Sequence, residues 1–346
     1  MSLAFYRGKR VLVTGHTGFK GAWLSKILVG AGAEVIGFSR CSAKEPSLFD
    51  LSGLEKELRH IKGDVRDLAR LEEAFRDFQP EIVFHLAAQP IVRESYVNPI
   101  ETYETNVMGT AHVLECIRKT NCVESAVIIT TDKVYRNNEW VWGYRENDVL
   151  DGFDPYSNSK SCAELVTASY KRSFPGMPPV STVRAGNVIG GGDFAKDRII
   201  PDCVRAMQRG EPIVVRNPHS TRPFQHVLEP LFAYLLIAEK QWENHELAGC
   251  YNIGPDDCDC LTTGELVSLF CEKWGEGARW IDRSEPGAPH EASFLKLDST
   301  LVKTTFGWAP KWHMAECMEM ICRFYKLWLR GGDLPAEMDA EIGRFF

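Results

Sequence analysis

A short apolar run, Val11-Leu-Val-Thr14, passes directly into Gly15-His-Thr-Gly18-Phe-Lys-Gly21 and then into Trp23, Leu24, Ile27 and Leu28, which share one helix face. A strand, a glycine loop and a helix in that order leave few folds open. Glycines let the turn tighten and let the backbone approach a diphosphate, whose charge then meets free N–H groups at the helix N-terminus. Gly15, Thr17, Gly18, Phe19, Lys20 and Gly21 are the expected contacts.

Further apolar runs follow at Glu34-Val-Ile-Gly-Phe38, Glu81-Ile-Val-Phe-His-Leu86 and Ser125-Ala-Val-Ile-Ile-Thr130, with helix patterns expected over 22–31, 68–77, 99–120 and 159–173. Unbroken apolar runs fit strands buried on both faces, as in a parallel sheet. Beyond Gly186 the alternation weakens, although a helix over 226–239 and a strand over 250–254 are placed to return to the sheet. The expected fold is α/β, a Rossmann-type doubly wound parallel sheet with a smaller C-terminal substrate-binding lobe. Residues 1–185 with roughly 226–254 are expected to form the first domain, and 186–225 with 255–346 the second lobe.

Composition narrows the partners. A formal charge of -7 argues against a nucleic-acid binder, while local Arg or Lys clusters can still hold a small anion. No N-terminal apolar segment is long enough for a leader or a membrane span, so a cytoplasmic location is expected. Eleven scattered cysteines read as reduced thiols. Cys258-Asp-Cys260, Cys317 and Cys322 lack the paired spacing of a zinc site, and no metal ligand is expected.

Tyr156-Ser-Asn-Ser-Lys160 sets a phenol and an ammonium on one helix face. A neighbouring cation is expected to lower the phenol pKa, so that Tyr156 takes a hydroxyl proton while hydride leaves for a nicotinamide. At the second strand end, Phe38-Ser39-Arg40 stands where an acidic residue would accept a ribose 2′-hydroxyl. Ser39 and Arg40 suit a 2′-phosphate, so NADP stays open beside NAD.

These motifs, with Thr131-Asp-Lys133, Trp140-Val-Trp-Gly-Tyr-Arg-Glu146, Asp154-Pro-Tyr-Ser-Asn-Ser-Lys160 and Arg184-Ala-Gly-Asn-Val-Ile-Gly-Gly-Gly-Asp193, resemble the extended short-chain dehydrogenases/reductases of the epimerase/dehydratase family. Within that family they are most similar to the CDP-glucose 4,6-dehydratase branch, and the resemblance covers nearly the whole chain. It implies an NAD that is used and regenerated, a nucleotide-sugar substrate, CDP-D-glucose, and a homodimer or dimer of dimers. It also implies that Asp64 and Val65 address the adenine, that Leu86, Ala87, Ala88, Gln89 and Thr130 lie near the nicotinamide half, and that Asn106 is a structural asparagine.

By the same resemblance, Thr131 bonds the reacting hydroxyl, Asp132 protonates the departing water, and Lys133 acts at C5 as base or as fixed charge. Asn187, Arg198 and Arg222 match positions that contact the sugar diphosphate, with Arg216 and His290 as further candidates; Trp140 and Trp142 are candidates for a cap on the site or for core packing. An epimerase or reductase of the same fold would not need Asp132 and Lys133. A non-catalytic dinucleotide sensor would not need Thr131, Tyr156 and Lys160.

Overall fold

The unbroken apolar runs pair side by side. In this computed structural model, which describes residues 3–40, 46–284 and 294–346, seven parallel strands build the central sheet. They are β1 (Arg10–Thr14), β2 (Glu34–Ser39), β3 (Arg59–Lys62), β4 (Ile82–His85), β5 (Ser125–Ile129), β6 (Val180–Ala185) and β7 (Cys250–Ile253), in the spatial order β7-β6-β5-β4-β1-β2-β3. All four residues of β4, all five of β5 and all six of β6 are buried, because helices cover both faces. Leu12, Ile36, Val83 and Ile128 face one core, whereas Val11, Val13, Phe84 and Val127 face the other.

The direction of chain progression reverses between β1 and β4. In an open parallel sheet that is where the loops diverge and leave a crevice at the carboxyl strand ends. The glycine loop leaves β1 there and the Leu86–Gln89 segment leaves β4.

Three local features depart from the sequence reading, the first being β6, which the sequence did not mark as a strand because Val-Ser-Thr-Val-Arg-Ala is interrupted by polar residues. The edge strand β3, Arg-His-Ile-Lys, carries no apolar run because no residue in it is fully buried. The helix expected over 99–120 is interrupted: Pro99–Tyr103 passes through a π-turn, Glu104–Met108, into Gly109–Lys119. A π-turn inserts one residue into the helical ladder and re-aims the side chains within it. Here the re-aimed residue is Asn106, which is fully buried.

The helix Leu228–Glu243 packs on the sheet and β7 extends it beyond β6, with Tyr251 opposite Val183. The remaining C-terminal segments form short two-stranded ladders and the helices Ile199–Arg209, Thr263–Trp274, Met314–Leu329 and Leu334–Phe345. They share a core with the sheet. Trp23, on the helix α1 (Phe19–Gly30) that follows the glycine loop, donates to Gly191 O at 2.9 Å and packs on Phe324. No helix among the described residues is long and apolar enough to cross a membrane.

Candidate active site

Gly15 opens the loop at φ +74°, and a Cβ there would stand 2.7 Å from Ala87 N, at the end of β4. At Gly21 a Cβ would stand 2.2 Å from Gly15 O. Any side chain at either position would force the loop off the β1/β4 crevice. Among the described residues no side chain caps the N-terminus of α1, which leaves its N–H groups to an anion. The loop therefore fits a dinucleotide pyrophosphate, with Thr17, Gly18 and Phe19 along it. His16 is buried against Phe49 and His60, and burial holds it neutral, with a pKa near 3.

Ser39 and Arg40 do stand beside the loop. Thr17 Oγ1 lies 2.8 Å from Ser39 Oγ, and Arg40 donates to Glu101 Oε1 at 3.0 Å on the surface. Burial works against the Asp64 carboxylate, but Arg66 clasps it with Nε and Nη2 and holds its pKa below the usual value. Val65 is buried, and its carbonyl lies 2.8 Å from His112 Nδ1. Leu86, Ala87 and Ala88 are half-buried at the strand end. Asn106 fixes the residue that follows: its Oδ1 accepts from Gln89 N at 2.8 Å and its Nδ2 donates to Gln89 O at 3.1 Å.

The reacting groups come from two elements. A 3₁₀ turn after β5, Asp132–Val134, carries Asp132 and Lys133, with Thr131 as its N-cap. The helix Pro155–Ser173 begins at an Asp154 cap, with Pro155 in its first turn, and sets Tyr156 and Lys160 on one face. Thr131 Oγ1 donates to Asp132 Oδ1 at 2.9 Å, leaving Asp132 Oδ2 buried with no hydrogen-bond partner among the described residues. Burial raises the Asp132 pKa despite Lys133, the Thr131 hydroxyl and Arg222. Lys160 donates to Ile129 O at 3.0 Å, and burial lowers its pKa to about 8 against the pull of Glu164.

The phenol differs from the sequence expectation. Burial pushes Tyr156 up to about 12, aided by Asp132 and only partly offset by Thr131 and Arg198. Desolvating a phenolate costs more than the protein's own cations return. Lys20 also turns into this cluster. Its Nζ lies 3.5 Å from Tyr234 Oη, and burial, Lys160 and Arg198 pull its pKa down to about 7 while Asp132 opposes.

Among the substrate-lobe candidates, Arg198 pairs with Asp193 at 2.9 Å and neighbours Tyr156. Arg222 is buried beside Asp132. Asn187 is half-buried, and its carbonyl accepts from Gln225 N. Arg216 sits at an exposed rim, where its nearest partner is Asp197 at 3.3 Å. His290 lies outside the described residues. The Thr130 hydroxyl is committed to Glu164 at 2.5 Å, so it is not free to reach a cofactor.

A glycine loop at the switch point beside a Thr131–Tyr156–Lys160 set marks a nucleotide-dependent oxidoreductase fold, and the comparisons with known proteins narrow it. The profile of GDP-mannose 4,6 dehydratase matches residues 12–321. The chain belongs to the GDP-mannose 4,6 dehydratase family.

Within this dehydratase family, the chain is 47% identical to a CDP-glucose 4,6-dehydratase of Salmonella typhimurium, over 99% of this chain and 97% of that protein. A probable dTDP-glucose 4,6-dehydratase of Sinorhizobium fredii is 28% identical over 86% of this chain and 87% of that one. Two solved structures share the fold. The UDP-glucose 4-epimerase of Thermotoga maritima, with UDP-glucose, superposes with a TM-score of 0.81 at 24% identity, covering 92% of this chain and 99% of that one. The dTDP-glucose 4,6-dehydratase of Bacillus anthracis, in complex with NAD, gives 0.78 at 20% identity, covering 92% and 97%.

Several groups near the Thr131–Tyr156–Lys160 set carried no sequence signal. Tyr234 lies on an apolar helix far along the chain, and Glu164 and Arg184 read as ordinary helix and strand residues until the fold buries them together. Trp140 and Trp142 are not core: they are 38% and 56% exposed on a loop where Trp140 stacks on Tyr144. Cys258 meets Asp259 and His313 with ligand atoms within 4.8 Å of one another, a proximity that the cysteine spacing did not signal. Asp259 already caps the helix Met314–Leu329 through Met314 N.

Proposed function

We propose that the chain converts CDP-D-glucose to CDP-4-keto-6-deoxy-D-glucose and water, with an NAD that is used and regenerated. The observation that carries this reading is the turn Thr131-Asp132-Lys133 beside Tyr156, with a buried Asp132 oxygen that has no hydrogen-bond partner among the described residues. An epimerase or reductase has no use for that acid. The 47% identity to a CDP-glucose 4,6-dehydratase over nearly the whole chain supports both reaction and base.

The glycine loop Gly15–Gly21 and the Leu86–Gln89 segment would hold NAD, which would supply the hydride acceptor for C4 and, once reduced, the hydride donor for C6. Tyr156 removes the C4 hydroxyl proton, with the Thr131 hydroxyl and the Lys160 cation holding the oxygen in place. The resulting ketone acidifies the C5 proton. Lys133 acts at C5, as the base that takes that proton or as a fixed charge on the enolate, while Asp132, whose pKa burial raises, delivers a proton to the departing C6 hydroxyl. Arg198 and Arg222 offer guanidinium forks to the sugar diphosphate, and Asn187, Arg216 and His290 complete the proposed substrate contacts.

The Arg40–Glu101 pair favours NAD over NADP, since Glu101 occupies the guanidinium and repels a 2′-phosphate. The division into a dinucleotide domain and a substrate lobe follows the same reading, with the diphosphate of the sugar held across it. Exposed Tyr96, Ile100, Met108 and Leu165 lie on the helices 92–119 and 155–173, an apolar surface suited to a homodimer in the cytoplasm.

Incubation of the purified chain with NAD and CDP-, dTDP-, GDP- or UDP-glucose, followed by mass spectrometry, tests the substrate. Loss of one water from the CDP sugar is expected. Turnover of dTDP-glucose without CDP-glucose would overturn the base assignment.

A further inference from the structure

Glu164 Oε2 and Arg184 Nη2 form an ion pair 2.9 Å long, with side chains only 1% and 2% exposed. Two charges removed from water are tolerated when other polar groups bond to them. Thr130 Oγ1 donates to Glu164 Oε1 at 2.5 Å and Thr182 Oγ1 to Oε2 at 2.6 Å. Arg184 Nη1 donates to Tyr135 Oη at 2.8 Å and to Glu146 O at 2.9 Å, and Tyr135 Oη donates to Asn252 Oδ1 at 2.6 Å.

The pair reaches the reaction residues from two sides. Thr130 and Tyr135 bracket Thr131-Asp132-Lys133, so both ends of that turn are tied to it. Lys160 stands one helical turn before Glu164, on the helix that also carries Tyr156.

We propose that Glu164 and Arg184 are positioning residues of the reaction: the buried pair fixes the turn that bears Thr131, Asp132 and Lys133, and Glu164 keeps Lys160 cationic beside Tyr156. The assignment rests on the dehydratase reading for its kinetic consequences.

The groups facing Lys160 give the sign of the effect. Lys20 comes from α1 and His85 from the end of β4, while Glu164 lies on the same helix. Burial keeps His85 neutral, with a pKa near 3, and Lys20 repels the ammonium. Glu164 is the anion that works against burial at Lys160, whose pKa is about 8. Without its carboxylate, Lys160 loses its proton at lower pH.

The test is Glu164→Gln, read in two ways. The 15Nζ shift of Lys160 is titrated by NMR, which needs no substrate, and kcat and KM for CDP-glucose are measured against pH. The expected result is a Lys160 pKa about one unit lower, an alkaline limb of kcat displaced equally, a kcat lower by about tenfold, and KM within about twofold. Should Glu164→Gln fail to fold, Glu164→Gln/Arg184→Met, which removes both buried charges, carries an expectation of the same sign but a smaller shift at Lys160, since the opposing Arg184 cation is lost as well. An unchanged Lys160 titration in a folded variant, or loss of the fold in both variants, would overturn the proposal in favour of a purely structural pair. A wild-type protein that dehydrates no nucleotide glucose defeats the dehydratase reading instead, and the NMR titration still decides the role of the pair.

Discussion

Asn106 Nδ2 donates to Ser159 Oγ across 2.9 Å, joining the π-turn on one helix to the helix that carries Tyr156 and Lys160. The same amide bonds both backbone groups of Gln89, and Ser159 Oγ donates to Tyr156 O at 2.7 Å. One side chain thus spaces the β4 strand end from the reacting phenol. Asn106→Ala would leave buried groups unpaired at about 1–3 kcal/mol each. A Tm lower by several degrees and a reduced kcat are expected, measured by thermal denaturation and steady-state assay.

Tyr156 stands at a pKa of about 12 before any cofactor charge arrives. Since a neighbouring positive charge favours the phenolate, oxidised nicotinamide should lower that value and reduced nicotinamide should not. Ultraviolet difference titration of the protein with NAD or NADH, with Tyr156→Phe as the blank, checks this. Tyr156→Phe should also reduce kcat by about 100-fold or more.

Asp132 is placed to act after oxidation. Its raised pKa keeps the acid protonated to higher pH than an ordinary aspartate, so dehydration should fall on the alkaline side before C4 oxidation does. Asp132→Asn should accumulate reduced nicotinamide at 340 nm with little loss of water from the sugar. Lys133→Ala should slow exchange of the C5 hydrogen with solvent, measured by deuterium incorporation.

Glu101 holds Arg40 at 3.0 Å. Glu101→Gln frees the guanidinium and should strengthen NADP binding several-fold with little change in NAD, since an exposed pair contributes up to about 1 kcal/mol. Fluorescence titration with each cofactor measures the ratio.

The sheet was legible where buried strands leave apolar runs, as β1, β2, β4 and β5 do, but not at β6, whose buried Val-Ser-Thr-Val-Arg-Ala is half polar. Nor was the edge strand β3 legible, since its residues never needed to be apolar. The break at 104–108 was hidden because a π-turn is made by packing around Asn106 and not by a breaker residue. Tyr156 and Lys160 were legible from spacing, yet spacing says nothing of desolvation, which overrides the expected lowering of the phenol pKa. The Glu164–Arg184 pair was invisible for the same reason: burial creates it, and burial belongs to the fold.

The most direct test of the account is the fate of the C4 hydrogen. CDP-glucose carrying deuterium at C4, incubated with the protein and unlabelled NAD, should give 4-keto-6-deoxy product with the deuterium at C6 and water lost, read by mass spectrometry and NMR. Product lacking the label, or deuterium found at C4 of an unreduced sugar with no water lost, would contradict an internally returned hydride.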